Sequence, residues 1–272
     1  MKWSVFLLCF ILSNVLQAQN NKGSFKKGSF FFYWGYNREH YSKSDITFKG
    51  NDFDFKLSDV HASDRQSKFG ADPYFKIDQI TIPQYNYRLG YLLNSKYNIS
   101  LGWDHMKYVV NQDQSVKING YIKNTGTAYD KLYNNENIVL SGDFLQFEHT
   151  DGLNYINVEF TRNDFLMNLH KNIEVNSYYG LGTGIVNPRT RSSLVNKGIN
   201  DEWHVSGYGM SAKTGINILF FKHLFLSGEV KGGTLNLPSV LITSNKSEKG
   251  KHHFSFLQFA FSLGYRFKLG EK

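Results

Sequence analysis

The stretch SFLQFAFSLGYRF, residues 255–267, alternates between two kinds of side chain. After Ser255 its odd positions are Leu257, Phe259, Phe261, Leu263, Tyr265 and Phe267. Its even positions are Phe256, Gln258, Ala260, Ser262, Gly264 and Arg266. A period of two belongs to a β-strand, whose successive side chains point to opposite faces. One face here is apolar and aromatic. The other is small or polar and carries an arginine. The same reading applies to Ser29–Asn37, Ile82–Leu93, Tyr97–Val110, Asn154–Arg162, Ile173–Ile185, His204–Phe220 and Leu224–Leu235. Eight strands result.

The connections between them alternate in length. Asn94–Lys96 and Phe221–His223 are short turns, and Asn163–Asn172 is of medium length. Residues 39–81, 111–151, 187–203 and 237–252 are long. Long connections therefore gather at one end, and short turns and both termini at the other. That arrangement, with one apolar face on every strand, predicts an all-β antiparallel transmembrane β-barrel. Closure pairs every backbone group, and only alternate residues touch lipid, so a hydrophilic chain can span a bilayer. The two longest loops carry strand signals of their own. Ile46, Phe48, Gly50-Asn51, Phe53, Phe55 and Leu57 read as a hairpin, and 116–118 and 138–147 as further strand. Counting the 45–59 hairpin into the barrel gives ten strands. Its halves of about five residues fall short of the nine to eleven that a membrane strand needs, so eight is preferred.

Composition agrees with a barrel. The 272 residues have a mean hydropathy of −0.41, which excludes a bundle of transmembrane helices. Aromatics make up 16%, as interfacial girdles require, whereas a soluble barrel would turn its apolar face inward. The net charge of +8 invites a nucleic-acid reading, but the N-terminus argues otherwise. Lys2 followed by the apolar run Trp3–Val15 and by Ala18 reads as a secretory signal peptide over residues 1–18, leaving 19–272 as one domain. Cys9, the only cysteine, lies inside that peptide, so no disulfide or thiolate site is expected in the mature chain. An exported protein meets little nucleic acid. The positive charge sits instead at the short-turn end. There Lys22, Lys26, Lys27, Lys96, Arg162, Lys171, Lys222, Arg266, Lys268 and Lys272 face only Asp164 and Glu271, a placement that suits phospholipid headgroups.

On the signal peptide, the strand alternation and the terminal Phe-Ser-Leu-Gly-Tyr-Arg-Phe strand (261–267), the chain resembles the small eight-stranded outer-membrane β-barrel proteins of Gram-negative bacteria. The resemblance implies an outer-membrane location and contact with outer-membrane lipid and lipopolysaccharide. In such proteins an aromatic near the end of the final strand is read by the insertion machinery. This chain departs from that pattern in having Lys268–Lys272 after Phe267.

The inward face of the strands carries Arg88, Asp104, Glu159, Glu174, Lys213, Glu229, Lys231 and Arg266. An eight-stranded barrel is just wide enough to be filled by side chains. Charges of both signs inside it are expected to pair into a plug, because an unpaired buried charge is costly; the alternative is a narrow pore. Some eight-stranded barrels are lipid A deacylases or acyltransferases that use a His with a Ser and an acid. His204 and Ser206 are the best candidates for such a site, although the Asn of the deacylase pattern is missing and His105-Met106-Lys107 departs from it further. No metal spacing occurs among the nine histidines, and no cofactor is expected. The sequence thus favours a non-enzymatic, monomeric outer-membrane barrel with a structural or surface-interaction role. Its long loops would meet lipopolysaccharide, an extracellular ligand or a partner protein. A lipid A-modifying enzyme and a narrow transporter are the alternatives.

Overall fold

The structure is a computed structural model that describes residues 24–195 and 197–269. The predicted signal peptide lies outside the described residues. Eight antiparallel strands form a closed ring: β1 (Ser29–Tyr41), β5 (Tyr85–Leu92), β6 (Tyr97–Val110), β9 (Leu145–His170), β10 (Ile173–Leu194), β12 (Gly207–Phe220), β13 (Leu224–Leu241) and β14 (Lys249–Lys268). The ring closes where β1 pairs with β14, from Ser29 opposite Lys268 to Tyr41 opposite Phe256. Six further strands lie above the ring: β2 (Ser44–Lys49), β3 (Phe53–Val60), β4 (Ala62–Ser63), β7 (Ser115–Ile122), β8 (Lys131–Val139) and β11 (Ile199–Trp203). The 45–59 hairpin is therefore a real β2–β3 hairpin outside the eight-stranded ring. It pairs with the upper end of β14 (Ile46 opposite His252) and carries β7 and β8 on its far side.

Several ring strands run well beyond the spans read from the sequence. β9 has 26 residues, β10 22, β14 20 and β13 18. At about 3.3 Å per residue these exceed what a tilted membrane strand requires. The segments 187–203 and 237–252 are thus largely strand rather than loop. The expected ten-residue connection at 163–172 is also strand on both sides of a turn at Lys171-Asn172. Register shifts at Ile173/Glu174 and Val175/Asn176 break the alternation there, which hides the strand from a period-two reading.

These strands exchange their two faces partway along. On β14 the inward column reads His252, Phe254 and Phe256, then Gln258, Ala260, Ser262, Gly264 and Arg266. The outward column reads Lys251, His253 and Ser255, then Leu257 through Phe267. On β9 the inward residues Leu145, Phe147, Leu153 and Tyr155 give way to Asn157, Glu159 and Thr161. Outward Gln146, Glu148 and Thr150 give way to Ile156, Val158 and Phe160. Below the exchange lies a barrel with a polar interior and an apolar wall. Above it lies a head with a conventional apolar core, in which Phe48, Phe53, Phe55, Leu57, Phe144 and Phe147 are buried together.

Candidate functional site

The charged lumen stands at mid-height in the barrel. Strand parity brings Arg88 (β5), Asp104 (β6), Glu159 (β9), Lys213 (β12), Glu229 and Lys231 (β13) inward, and all six are buried. Arg88 bridges Asp104 (3.2 Å) and Glu159 (2.8 Å). Lys213 bridges Glu159 (2.6 Å) and Glu229 (3.0 Å). Lys231 reaches Asp104 (2.7 Å), Glu159 (2.9 Å) and Glu229 (3.6 Å). Three cations and three carboxylates make a neutral cluster in which every charge has at least one opposite neighbour. That is the condition under which buried charges can be tolerated.

Around Arg88 and Asp104, neutral side chains add further hydrogen bonds. Arg88 Nε donates to Tyr33 Oη (2.9 Å) and Nη1 to Asn157 Oδ1 (3.0 Å). Asp104 accepts from Asn86 Nδ2 (2.7 Å) and Asn157 Nδ2 (2.9 Å). The guanidinium fits because its neighbour across the sheet is Gly102. A Cβ there would lie 2.3 Å from Arg88 Cζ. A second layer sits above. Glu39 accepts from Gln258 Nε2 (2.8 Å) and from Gln84, and its backbone N–H donates to Asp64 Oδ2 (3.0 Å).

Glu174 and Arg266 do not join the cluster. They stand at the short-turn end, where Ser24 links them: its N–H donates to Glu174 Oε2 (2.9 Å), and its Oγ accepts from Arg266 Nη2 (3.0 Å). Arg266 also donates to the Lys222 carbonyl and lies over the Phe25 ring. They are separated from the cluster because the strands are long, and inward parity alone does not set height. Alternation places Gln84, Asn86, Asn157 and Gln258 on the inward face without giving them partners, and it misses Glu39. Glu39 falls in the long connection 39–81 by sequence, whereas in the structure it continues the inward column of β1 through Tyr33, Gly35 and Asn37.

His204 and Ser206 do not form a nucleophile–base pair. β12 begins at Gly207, so both residues precede the strand. Ser206 Oγ donates to the His204 backbone carbonyl (3.1 Å), while the His204 ring lies 3.4 Å from Ser239 Oγ. A different histidine pair is buried in the head. His149 Nε2 and His252 Nε2 lie 3.4 Å apart, and Thr190 Oγ1 is 3.0 Å from His149 Nδ1. Tyr108, Phe147 and Phe254 surround them. Burial, reinforced by His252, holds His149 well below the usual imidazole range. Burial, with His253 nearby, pulls His252 down to about 3. The two rings are 103 residues apart in sequence, and only the topology brings them together. Among the described residues, no three His, Cys, Asp or Glu side chains converge as metal ligands.

A closed antiparallel ring with an apolar wall and a polar, ion-paired interior defines a transmembrane β-barrel protein. The solved structures to which this chain is similar include three small outer-membrane proteins. Against neisserial surface protein A the identity is 9% and the TM-score 0.36, over 89% of this chain and 98% of that one. OprG of Pseudomonas aeruginosa gives 11% and 0.35 over 89% and 97%. Ail, the attachment invasion locus protein of Yersinia pestis, gives 8% and 0.31 over 89% and 99%. No protein-family model matches the sequence, and no curated protein does.

Proposed function

We propose that the chain is a monomeric surface-interaction protein of the outer membrane, exported through a cleaved signal peptide. The barrel acts as its closed pedestal and the head as its contact surface. The observation that carries this reading is the ion cluster that crosses the lumen. The neutral cluster of Arg88, Asp104, Glu159, Lys213, Glu229 and Lys231 occupies the middle of the barrel. Tyr155, on the same strand as Glu159, and Phe254 and Phe256 of β14 belong to the head core above it. A plugged barrel gives solute no continuous path, so specificity falls to the exposed strands and connections above it. Leu132, Ile199, Trp203 and Val205 are exposed there and offer apolar contact points to lipopolysaccharide, an extracellular ligand or a partner protein.

Planar-bilayer recording tests the plug. Purified protein is expected to insert without stable unit conductance; a reproducible open channel would overturn the reading in favour of a pore. Release of fatty acid from lipopolysaccharide by the same preparation would overturn it in favour of an enzyme. N-terminal sequencing of the membrane-extracted protein is expected to begin at Gln19.

A further inference from the structure

The outer wall of a barrel usually presents a continuous apolar surface. This one has a depression. At one level around the ring, register places Ile216, Gly228, Phe261 and Tyr36 side by side on β12, β13, β14 and β1. Gly228 faces outward between two large side chains and leaves the row open. The next level, Ile218, Leu226, Leu263 and Trp34, continues the floor. At the usual strand spacing of about 4.8 Å, the floor is roughly 14 Å across.

A segment of the first long connection walls this floor. The Tyr36 hydroxyl donates to the Tyr74 carbonyl (2.6 Å), and the two rings meet at 4.8 Å. Lys107 Nζ donates to the Ile82 carbonyl (2.8 Å). The segment between is thereby pinned to the outside of the barrel. Tyr74, Phe75 and Ile80 close one side of a groove of about 800 Å³ whose lining is almost entirely apolar. The segment also points apolar side chains away from the protein: Phe69 is 73% exposed, Phe75 73% and Ile77 90%. The same segment carries an exposed Lys76–Asp72 ion pair at 3.6 Å, a mixture of apolar and charged side chains that suits the membrane–water boundary.

We infer that this groove holds one acyl chain of an anionic membrane lipid. The inference rests on the wall being lipid-facing, and it adds a specific site to that wall. Hydrocarbon is the matching occupant because the floor lies in the middle of the outward apolar run of β14, between Leu257 and Phe267. The anionic headgroup follows from β1. Two residues beyond Tyr36 on the same outward face is Arg38, opposite Phe259, and then His40, whose ring lies 6.3 Å from that of Phe259. Both are exposed, and they stand at the boundary where the outward column turns polar. A chain lying in the groove places its phosphate beside them.

Gly228 supplies the test. A Cβ there would make ordinary contact with the Phe261 ring at 3.5 Å, so Gly228→Leu fills the depression without disturbing the backbone. Gly232, outward on the same strand but outside the groove, is equally open, with its nearest neighbour at 3.9 Å, and Gly232→Leu is the control. The full chain is reconstituted in phosphatidylcholine vesicles containing a minor fraction of phosphatidylglycerol, released, and weighed by native mass spectrometry. The expected result is one retained phosphatidylglycerol in the wild type and in Gly232→Leu, and its loss in Gly228→Leu. Gly228→Ala is the milder variant should the leucine impair folding, and is expected to weaken retention. Arg38→Gln is expected to remove the preference for phosphatidylglycerol over phosphatidylcholine. The inference fails if no lipid is retained, if Gly228→Leu retains it equally, if detergent takes its place, or if the depression instead holds a second copy and yields a dimer that Gly228→Leu dissociates. Co-flotation with the vesicles reports the membrane reading separately: a chain that floats yet retains no lipid loses the groove alone.

Discussion

β9 and β14 run through both the barrel and the head, and the same strands solve opposite problems in the two places. In the head their inward side chains are Phe147, Leu153, Phe254 and Phe256, and burial of each contributes about 1.5–3 kcal/mol as it does in a soluble protein. In the barrel their inward side chains are Glu159, Gln258 and Arg266, which gain nothing from leaving water unless they are paired. Stability there comes from closure, which leaves no strand edge in lipid, and from a neutral cluster. The exchange of faces near Tyr155/Ile156 and Phe256/Leu257 thus marks where the surroundings change from lipid to water. Strand geometry is indifferent to that change; only the side chains record it.

The sharpest way to break this comparison is to unbalance the barrel interior. Glu159→Gln removes the carboxylate that faces Arg88, Lys213 and Lys231, leaving three cations opposite two anions. Loss of one partner from a buried pair costs about 3–5 kcal/mol. The heat-dependent mobility shift of the folded barrel should move to lower temperature or denaturant. An unchanged midpoint would mean that water, rather than ion pairing, solvates the lumen. The head answers a different substitution. Leu57→Ala opens a cavity among buried apolar side chains and should cost about 2–5 kcal/mol. That loss should appear as faster proteolysis within β2–β3 and β7–β8, with the barrel midpoint held.

How much of this was legible follows from the same contrast. Period-two alternation found all eight ring strands, because in lipid the outward column is uniformly apolar. Alternation does not stop in the head, but its sign reverses. His252 continues the inward column of β14 above Phe254 and Phe256, yet it reads as connection when apolar residues are taken to face outward. The same reading puts Glu39 in a connection, because the outward column of β1 turns polar at Arg38. Inward charges were readable from parity. Their partners were not, since the pairing of Lys231 with Asp104 across 127 residues depends on ring order and height. The His149–His252 pair belongs to this second kind of fact. So does the groove at Gly228, which exists only because Ile216 and Phe261 are its neighbours across the sheet.

Acid should separate the two regions as well. His149 and His252 are buried as neutral rings, with pKa values held below the roughly 6.5 of an unfolded histidine. Below about pH 6.5 the unfolded head binds protons that the folded head refuses, so stability is present above that pH and is lost as pH falls towards about 3. Each such group loses about 1.4 kcal/mol per pH unit for as long as its folded ring stays neutral. Protease resistance of the head should fall between pH 7 and pH 5, and His149→Phe with His252→Phe should flatten the profile. Carboxylates act in a lower window. Asp45, held below the usual range by Lys56 at 2.6 Å, gives up its contribution only below about pH 4. A loss confined to that range would assign acid sensitivity to surface pairs and not to the histidines.

The smallest effect is also the most discriminating, because it repeats the Leu57 substitution on the other kind of surface. Leu181 of β10 points outward in the apolar band and is 69% exposed. Leu181→Ala leaves no cavity, since lipid chains flow into the vacated volume. What remains is the difference in transfer into the bilayer, about 0.5 kcal/mol for one such side chain. The barrel midpoint should shift by no more than that, several-fold less than the loss at Leu57 for the same atoms deleted. A loss at Leu181 as large as at Leu57 would mean that this wall packs against protein. The apolar exterior would then be an interface between chains, and the polarity exchange along β9 and β14 would mark a subunit boundary in place of a membrane surface.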